Sequence, residues 1–244
     1  MVVEGPVAET SKTVDQALRL LAEIGSARGP GTVAELAQRL GVPRTVAHRL
    51  LATLREHGFV HRGPDARYGL GVALFDLAGR VQARLREVAV PSLAELAERL
   101  TETAILTVRD GASAVAVDQY RAGRHLVAID YRPGIHHPLT VAAAGLAILA
   151  WADDAEAARA VRASGDPGLT DRLAGIRALG YAESADEFQS GVCGVSAPVL
   201  GAAGTPIASI GVVVPAARYP AADSFAVAVT AAARTVTANL TAAH

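Results

Sequence analysis

A short polar cluster between residues 44 and 49 contains side chains that can hydrogen-bond to a nucleic acid. Arg44 precedes three residues whose spacing of i, i+3 and i+4 places them on one helix face: Thr45, His48 and Arg49. Small, hydrogen-bonding and cationic groups near the N-terminus of a helix suit base edges and phosphates in the DNA major groove. The cluster therefore predicts a surface that contacts DNA bases through Thr45, His48 and Arg49.

The helix that carries this cluster is the third in a predicted series. A first helix is predicted over residues 13–24. A capping box formed by Thr32 and Glu35 begins the second helix, and Gly41 ends it. The third helix is predicted over residues 43–57, with a buried face formed by Val46, Leu50, Leu51 and Leu54.

A β-hairpin is predicted next, over residues 59–70. Arg62 and Arg67 lie on its two strands and are expected, together with Arg44, to hold phosphates. Three helices and a hairpin could belong to any small α+β domain, but arginines on the hairpin favour a winged helix-turn-helix over residues 11–70. The candidate DNA-binding residues are Thr32, Arg44, Thr45, His48, Arg49, Arg62 and Arg67.

The distribution of charge agrees with this prediction. Residues 12–70 contain nine Lys or Arg and five Asp or Glu, a net charge of +4, although the whole chain has a net charge of −1. A positive segment in an otherwise acidic chain is expected when one domain meets phosphates and another does not.

The composition favours a folded protein of ordinary size. Of the 244 residues, 51% are hydrophobic and 19% charged, which excludes extensive disorder. No apolar run reaches the ~18 residues of a membrane span, and residues 1–12 lack the layout of a signal peptide. The single cysteine, Cys193, excludes an internal disulfide. We expect a cytoplasmic protein with no membrane association and a flexible tail over residues 1–10.

Two further segments follow the hairpin. Apolar residues at 74, 77, 78, 81 and 85 predict a linker helix over residues 71–88, which is expected to pair with the same helix of a second chain. Residues 89–244 predict a mixed α/β domain, in which helices cover an antiparallel sheet and leave a pocket between the sheet and its loops. The predicted strands are 104–109, 114–120, 126–131, 195–200 and 206–214. The predicted helices are 92–100, 141–151, 155–163, 169–179 and 223–240.

Four segments occur in an order and at separations that resemble a known family. They are VPRTVAHRLLATLREHGFV (42–60), RYGLG (67–71), PLTVAAAGLAILA (138–150) and GYAESADEFQSGVCGVSAPV (180–199). Together they resemble IclR-type transcriptional regulators over nearly the whole chain. The resemblance implies an α+β fold class, with an N-terminal winged helix-turn-helix, a linker helix used in dimerisation and a C-terminal GAF-like α/β domain that binds a small-molecule effector.

The resemblance also implies a function and a set of site residues. Members bind operator DNA as dimers, many assemble into dimers of dimers, and most repress catabolic operons under the control of a small organic molecule. Cys193 is expected to line the effector pocket. The effector contacts carried over by motif are Leu126, His137, Ala143, Ala144, Ser184, Gly194, Gly211 and Val213.

Two departures from the family pattern bear on the effector. Members that bind small oxo-acids have two serines on the last strand, where this chain has Gly211 and Val213. They also have an aspartate where this chain has Ser184. The absence of the two serines removes hydrogen-bond donors for a carboxylate, and the glycine is expected to make room. The pattern predicts an effector that is larger or more apolar, such as an aromatic molecule, than a two- or three-carbon acid.

The same sequence also allows three other classes of function: a nucleophilic or metal site, an enzyme, and an architectural DNA-binding protein. Cys193 with His136 and His137 invites a nucleophilic or metal site, but no third partner or fixed ligand spacing supports it. His137 is better interpreted as a hydrogen-bond donor to the effector, and neither a metal nor a cofactor is expected. An enzyme with an accessory DNA-binding domain is the alternative, and it lacks an acid, base or metal cluster. A DNA-binding architectural protein would leave the pocket-forming domain unexplained.

Overall fold

The fold is given by a computed structural model, which describes residues 10–26, 28–80, 82–122, 128–201, 203–219 and 223–242. The chain divides into two compact units between Gln82 and Ala83. This division falls inside the predicted linker segment, and the predicted domain boundaries stay predictions. No helix in the described ranges combines the length and the apolar character that a membrane span needs.

The first unit is a winged helix-turn-helix. Helices α1 (Lys12–Gly25), α2 (Val33–Leu40) and α3 (Arg44–Glu56) are followed by the antiparallel strands β1 (Val60–Arg62) and β2 (Tyr68–Leu70). The core contains apolar side chains from every one of these elements: Leu20, Ile24, Leu36, Leu40, Leu50, Leu51, Leu54, Val60 and Tyr68. The predicted three helices and hairpin are confirmed.

Local capping explains where α2 begins and ends. Thr32 Oγ1 accepts from the Glu35 amide, and the Glu35 carboxylate accepts from the Thr32 amide, which is the capping box predicted from sequence. At the other end Gly41 has a φ of +69°, a left-handed conformation that glycine adopts without steric cost. The tight turn between α2 and α3 follows directly from these residues.

The predicted linker helix is two helices. α4 spans Ala73–Arg80 and α5 spans Ala83–Leu100, and Gln82 between them has a φ of +51°. A continuous α-helix does not accommodate this left-handed backbone. The prediction of one helix over 71–88 is therefore wrong, because apolar periodicity can continue across a break in the backbone. Pro91, expected to precede a separate helix, lies inside α5.

The second unit is built on a six-stranded sheet in which all paired strands are antiparallel. Its strands are β3 (Thr103–Asp110), β4 (Ser113–Arg121), β5 (His136–Pro138), β6 (Ala182–Ala185), β7 (Val192–Leu200) and β8 (Pro206–Pro215). They lie in the order β5-β4-β3-β8-β7-β6. Besides α5, its helices are α6 (Ala142–Leu149), α7 (Asp154–Ser164), α8 (Leu169–Leu179) and α9 (Asp223–Thr241).

Helices cover this sheet, as predicted, and the structure places them on both of its faces. On one face α5 and α9 pack against the strands, and Leu93, Val229 and Ile210 belong to one buried hydrophobic cluster there. On the other face Leu146 of α6 packs with Leu173 of α8. The start of α6 is a run of alanines, and these small side chains let the helix approach the sheet closely.

The strand predictions need three corrections. The described part of the predicted strand 126–131, residues 128–131, is not a strand. The Tyr131 amide there donates to the Gln119 side chain instead of to a neighbouring backbone. The strands β5 and β6 are not predicted from sequence, because neither contains a β-branched or aromatic residue.

Candidate DNA-binding surface and ligand cavity

The start of α3 presents the predicted DNA-binding cluster on one surface. Arg44, Thr45, His48 and Arg49 are all exposed and border a shared depression that Val33 completes. Their side chains form no hydrogen bond or ion pair with any residue that the structure describes. The buried side of α3 packs into the core of the first unit, so the helix is anchored and the polar side chains of the cluster are exposed on its other side.

The two hairpin arginines differ in their surroundings. Arg62 lies exposed on β1. Arg67 instead donates through Nη2 to the carbonyl of Pro30 at 2.7 Å, and the same nitrogen lies 3.2 Å from a carboxylate oxygen of Glu35. Arg67 therefore joins the hairpin to the start of α2, an arrangement that the predicted phosphate contact does not anticipate.

Thr32 belongs to the same network as Arg67. Its amide donates to Glu35 Oε2 at 2.9 Å. This hydrogen bond and the nearby Arg67 guanidinium lower the pKa of the Glu35 carboxyl, so the carboxylate form is favoured. Glu35 is thus the point at which the hairpin and the helix-turn-helix meet, and the sequence identifies it only as a capping residue.

A cavity lies between the sheet and the start of α6 in the second unit. It encloses about 30 Å³, which is enough for about two waters and far below the ~300–1,000 Å³ of typical ligand pockets. The sheet supplies Ile105, Ser184, Val192, Cys193, Gly194, Ser196 and Val213. The remaining lining residues are Tyr131, the α6 residues Ala142, Ala143 and Ala144, and the loop residues Glu187, Phe188 and Gln189.

Most of the predicted effector contacts meet at this cavity. Those that line it are Ala143, Ala144, Ser184, Cys193, Gly194 and Val213. His137 and Gly211 lie next to lining residues, and Leu126 lies outside the described residues. The family motif therefore locates the cavity, although it does not identify every group in it.

Gly211 does not make room for a ligand, contrary to the prediction. It pairs with Ser196 on the adjacent strand β7. A Cβ at position 211 would collide with Ser196 Oγ and with the carbonyl oxygen of Val195. The space beside the glycine is therefore filled by the Ser196 hydroxyl. The chain retains a serine donor in the cavity, on β7 instead of β8, and the sequence comparison misses it.

His137 presents an acceptor, not the predicted donor. Its Nδ1 lies 2.9 Å from the Pro138 carbonyl oxygen, which can only accept, so the ring hydrogen lies on Nδ1. Burial lowers the pKa of His137 and favours the neutral ring. Its Nε2 atom is buried and has no partner among the described residues. The ring packs against Phe188 and Tyr131, with centroids 5.1 and 6.5 Å away.

The backbone amides at the start of α6 already have acceptors within the chain. The Ala143 amide donates to Ser184 Oγ at 2.9 Å, and the Ala142 amide donates to Glu187 Oε2 at 3.0 Å. The other oxygen of Glu187 pairs with Arg172 Nη2 at 2.5 Å. Glu187 lies in the family-like segment 180–199, three residues after Ser184, and this position was its only signal in the sequence.

The described residues of the cavity offer hydrogen-bond donors but no activated nucleophile. Burial raises the pKa of the Cys193 thiol, and the nearby carboxylates of Asp186 and Glu183 raise it further, so the thiolate is disfavoured. Burial also raises the pKa of Tyr131 to about 12 and keeps its hydroxyl protonated. Among the described residues, no three His, Cys, Asp or Glu side chains are grouped as a metal site requires. The arrangement of these groups suits the binding of a ligand through hydrogen bonds and apolar contacts.

Comparison with known proteins identifies the family. The model of the IclR helix-turn-helix domain matches residues 13–64, and the model of the bacterial transcriptional regulator IclR C-terminal domain matches residues 78–238. The chain belongs to the IclR family of bacterial transcriptional regulators. It is a DNA-binding regulator with a winged helix-turn-helix and a C-terminal GAF-like effector domain, as the sequence predicts.

Individual relatives agree with this assignment. The chain is 31% identical over 219 residues to the HTH-type transcriptional regulator Rv1719 of Mycobacterium tuberculosis, covering 85% of this chain and 84% of the relative. It is 27% identical to the transcriptional repressor IclR of Escherichia coli, covering 89% and 85%. The fold matches an IclR homologue from Microbacterium hydrocarbonoxydans complexed with 4-hydroxybenzoate, with a TM-score of 0.82, 22% identity and coverage of 94% and 99%.

Proposed function

We propose that this IclR-family regulator represses a catabolic or metabolic operon and that a small organic effector in the cavity modulates its affinity for operator DNA. The observation that carries the proposal is the pairing of two sites in one chain. Exposed groups on α3 that form no hydrogen bond with any described residue suit DNA. A mainly apolar cavity in the other unit suits a small organic molecule, although it must widen to admit one. The protein would act in the cytoplasm, where operator DNA is found.

The residues of the α3 surface would divide between bases and phosphates. Thr45, His48 and Arg49 would contact base edges, while Arg44 and the exposed Arg62 would hold phosphates. Arg67 would act by positioning the hairpin, because its guanidinium is already engaged by Glu35 and Pro30.

The decisive experiment removes one base-contacting side chain. Arg49→Ala is expected to weaken binding to DNA upstream of the protein's own gene by at least about tenfold, the effect of one lost bidentate base contact. Effector binding should not change. Arg55→Ala is the matched control, because Arg55 is exposed at the opposite end of α3. Unchanged operator affinity in Arg49→Ala would rule out this face.

The protein would bind its operator as a dimer and could assemble further into a dimer of dimers. α4 contains no buried residue in the single chain, its Phe75 is 83% exposed, and Val72, directly before the helix, is 81% exposed. A helix with large exposed apolar side chains suits pairing with a second copy.

The effector would be an organic molecule with an apolar or aromatic body. Apolar side chains and the rings of Tyr131 and Phe188 dominate the lining, and Ser196 and Tyr131 supply hydroxyls. The structural neighbour from Microbacterium hydrocarbonoxydans is complexed with 4-hydroxybenzoate, which supports the choice of an aromatic acid as a candidate effector. Titration with glyoxylate and pyruvate beside aromatic acids tests the proposal, and tight binding of the two small acids alone would contradict it.

Ligand binding, without turnover, is proposed for this cavity. The Cys193 thiol has a raised pKa, and the buried His137 ring packs on aromatic side chains without lining the cavity. Activation of Cys193 as a nucleophile would need a neighbour that lowers its pKa, and the nearby carboxylates of Asp186 and Glu183 raise it instead. Incubation with candidate ligands should return them unchanged.

A further inference from the structure

Glu187 occupies a position at the cavity that a ligand carboxylate would be expected to take. Its Oε2 atom accepts from the Ala142 amide at 3.0 Å, at the first residue of α6. Backbone amides and the positive end of the helix dipole favour an anion at this place. The chain therefore supplies its own carboxylate to an anion-binding position in the wall of the cavity.

Glu187 is also held from the solvent side. Arg172 on α8 pairs with Oε1 at 2.5 Å, and the same guanidinium nitrogen donates to the Glu183 carbonyl at 2.9 Å. Both side chains of the ion pair are partly exposed. The carboxylate can therefore leave the Ala142 amide and keep both its counter-ion and contact with water, which makes its displacement inexpensive.

Glu187 fixes the outer wall of the cavity as well. The next residue, Phe188, packs its ring against the rings of His137 and Tyr131, with centroids 5.1 and 6.2 Å away. Residues 185–191 are exposed, whereas the opposite wall is the buried sheet. Because the cavity holds only about 30 Å³, a ligand must gain volume on the Glu187 side.

The His137 ring gives a second reason to expect an opening on this side. Its Nε2 atom is an acceptor that is buried and unpartnered, in a residue only 2% exposed. Such an atom is costly to bury without a hydrogen bond. Outward movement of Phe188 would bring this acceptor within reach of a ligand donor.

We propose that Glu187 is an internal competitor for the effector. An organic acid binds by replacing Glu187 at the Ala142 amide, and the released loop carries Phe188 outward to make room for the apolar body of the ligand. An uncharged analogue cannot replace a carboxylate at this amide equally well, so it binds more weakly. This inference rests on the proposed function of the cavity as the effector site.

Removal of the competing charge should strengthen the binding of acids. The full-length wild type, Glu187→Gln and Glu187→Ala are titrated with benzoate, 4-hydroxybenzoate and pyruvate, and with benzamide as an uncharged analogue. We expect both variants to bind the preferred acid about tenfold more tightly, the equivalent of one charge-assisted hydrogen bond. Affinity for benzamide should change much less.

A matched variant separates competition from a general charge effect. Glu183→Gln removes a neighbouring carboxylate whose donor is the Tyr219 hydroxyl instead of a backbone amide of α6. An equal gain in Glu183→Gln, or equal acid affinities in wild type and both Glu187 variants, would overturn the inference and leave the cavity as the effector site. No binding of any acid to any of these proteins at millimolar concentration would remove both the inference and the proposed function.

Discussion

The two candidate sites of this chain are built in opposite ways. On the α3 surface, the side chains of Thr45, His48 and Arg49 are exposed and form no hydrogen bond with any described residue. In the cavity, the amides of Ala142 and Ala143 already have acceptors within the chain. On the proposed assignment, DNA would dock on a surface whose polar groups are already exposed, whereas an effector would have to replace partners within the chain. Substitutions on the surface should change binding alone, and substitutions around the cavity should also change stability.

The largest effect is expected from Gly211→Ala. The added Cβ would collide with Ser196 Oγ and the Val195 carbonyl in a buried part of the sheet, so the free energy of unfolding should fall by about 3 kcal/mol. Trp151, the only tryptophan, lies in the same unit and reports its denaturant unfolding by fluorescence.

A second glycine in the same unit provides the control. Gly175 in α8 has nothing within contact distance of an added Cβ, so Gly175→Ala should raise stability by about 0.5–1 kcal/mol. If Gly211→Ala is as stable as the wild type, the close approach between β7 and β8 does not require glycine at position 211.

A smaller effect is expected from Phe75→Glu on α4. If this exposed apolar side chain packs against a second copy, a charge in its place should weaken the dimer by at least about tenfold, the value of burying one large side chain. A dilution series in the analytical ultracentrifuge measures the dissociation constant. Asp76→Ala, an exposed change on the same helix, should leave it unchanged, and an unaltered dimer in Phe75→Glu would exclude α4 from the interface.

The smallest expected effect is a difference between the two hairpin arginines in how operator affinity depends on salt. Arg62→Ala should reduce the slope of operator affinity against salt by about one, as expected for a lost phosphate contact. Arg67→Ala should weaken binding without changing that slope, since its guanidinium contacts Glu35 and Pro30. Glu35→Gln should reproduce the Arg67 result. A reduced slope in Arg67→Ala would show that Arg67 binds phosphate after all.

The elements that were predicted correctly from the sequence are those that depend on local residue patterns. The helix-turn-helix and hairpin follow from apolar spacing, a capping box and glycine turns, and the helix Leu169–Leu179 was predicted with the observed bounds. The break between α4 and α5 at Gln82 does not interrupt the regular spacing of apolar residues, so this spacing does not reveal it. The short strands β5 and β6 form because the long strands beside them offer hydrogen-bonding partners, not because of their own residues.

The sequence located the cavity but did not identify all the groups that line it or the contacts between them. The family motif brought six predicted residues together, yet Ser196 covers Gly211 only because of the register between β7 and β8. The contact of Glu187 with Ala142 joins residues far apart in the chain. Such pairings depend on strand register and loop path, which residue types alone do not specify.

The lengths of the strands restrict how copies of this protein can associate. The outermost strands, β5 and β6, have three and four residues, whereas the four interior strands have eight to ten. β5 also ends in Pro138, which has no amide hydrogen to donate. A short border that ends in proline is a poor template for another chain's backbone. The described edges of the sheet therefore disfavour the open-ended stacking of copies strand against strand.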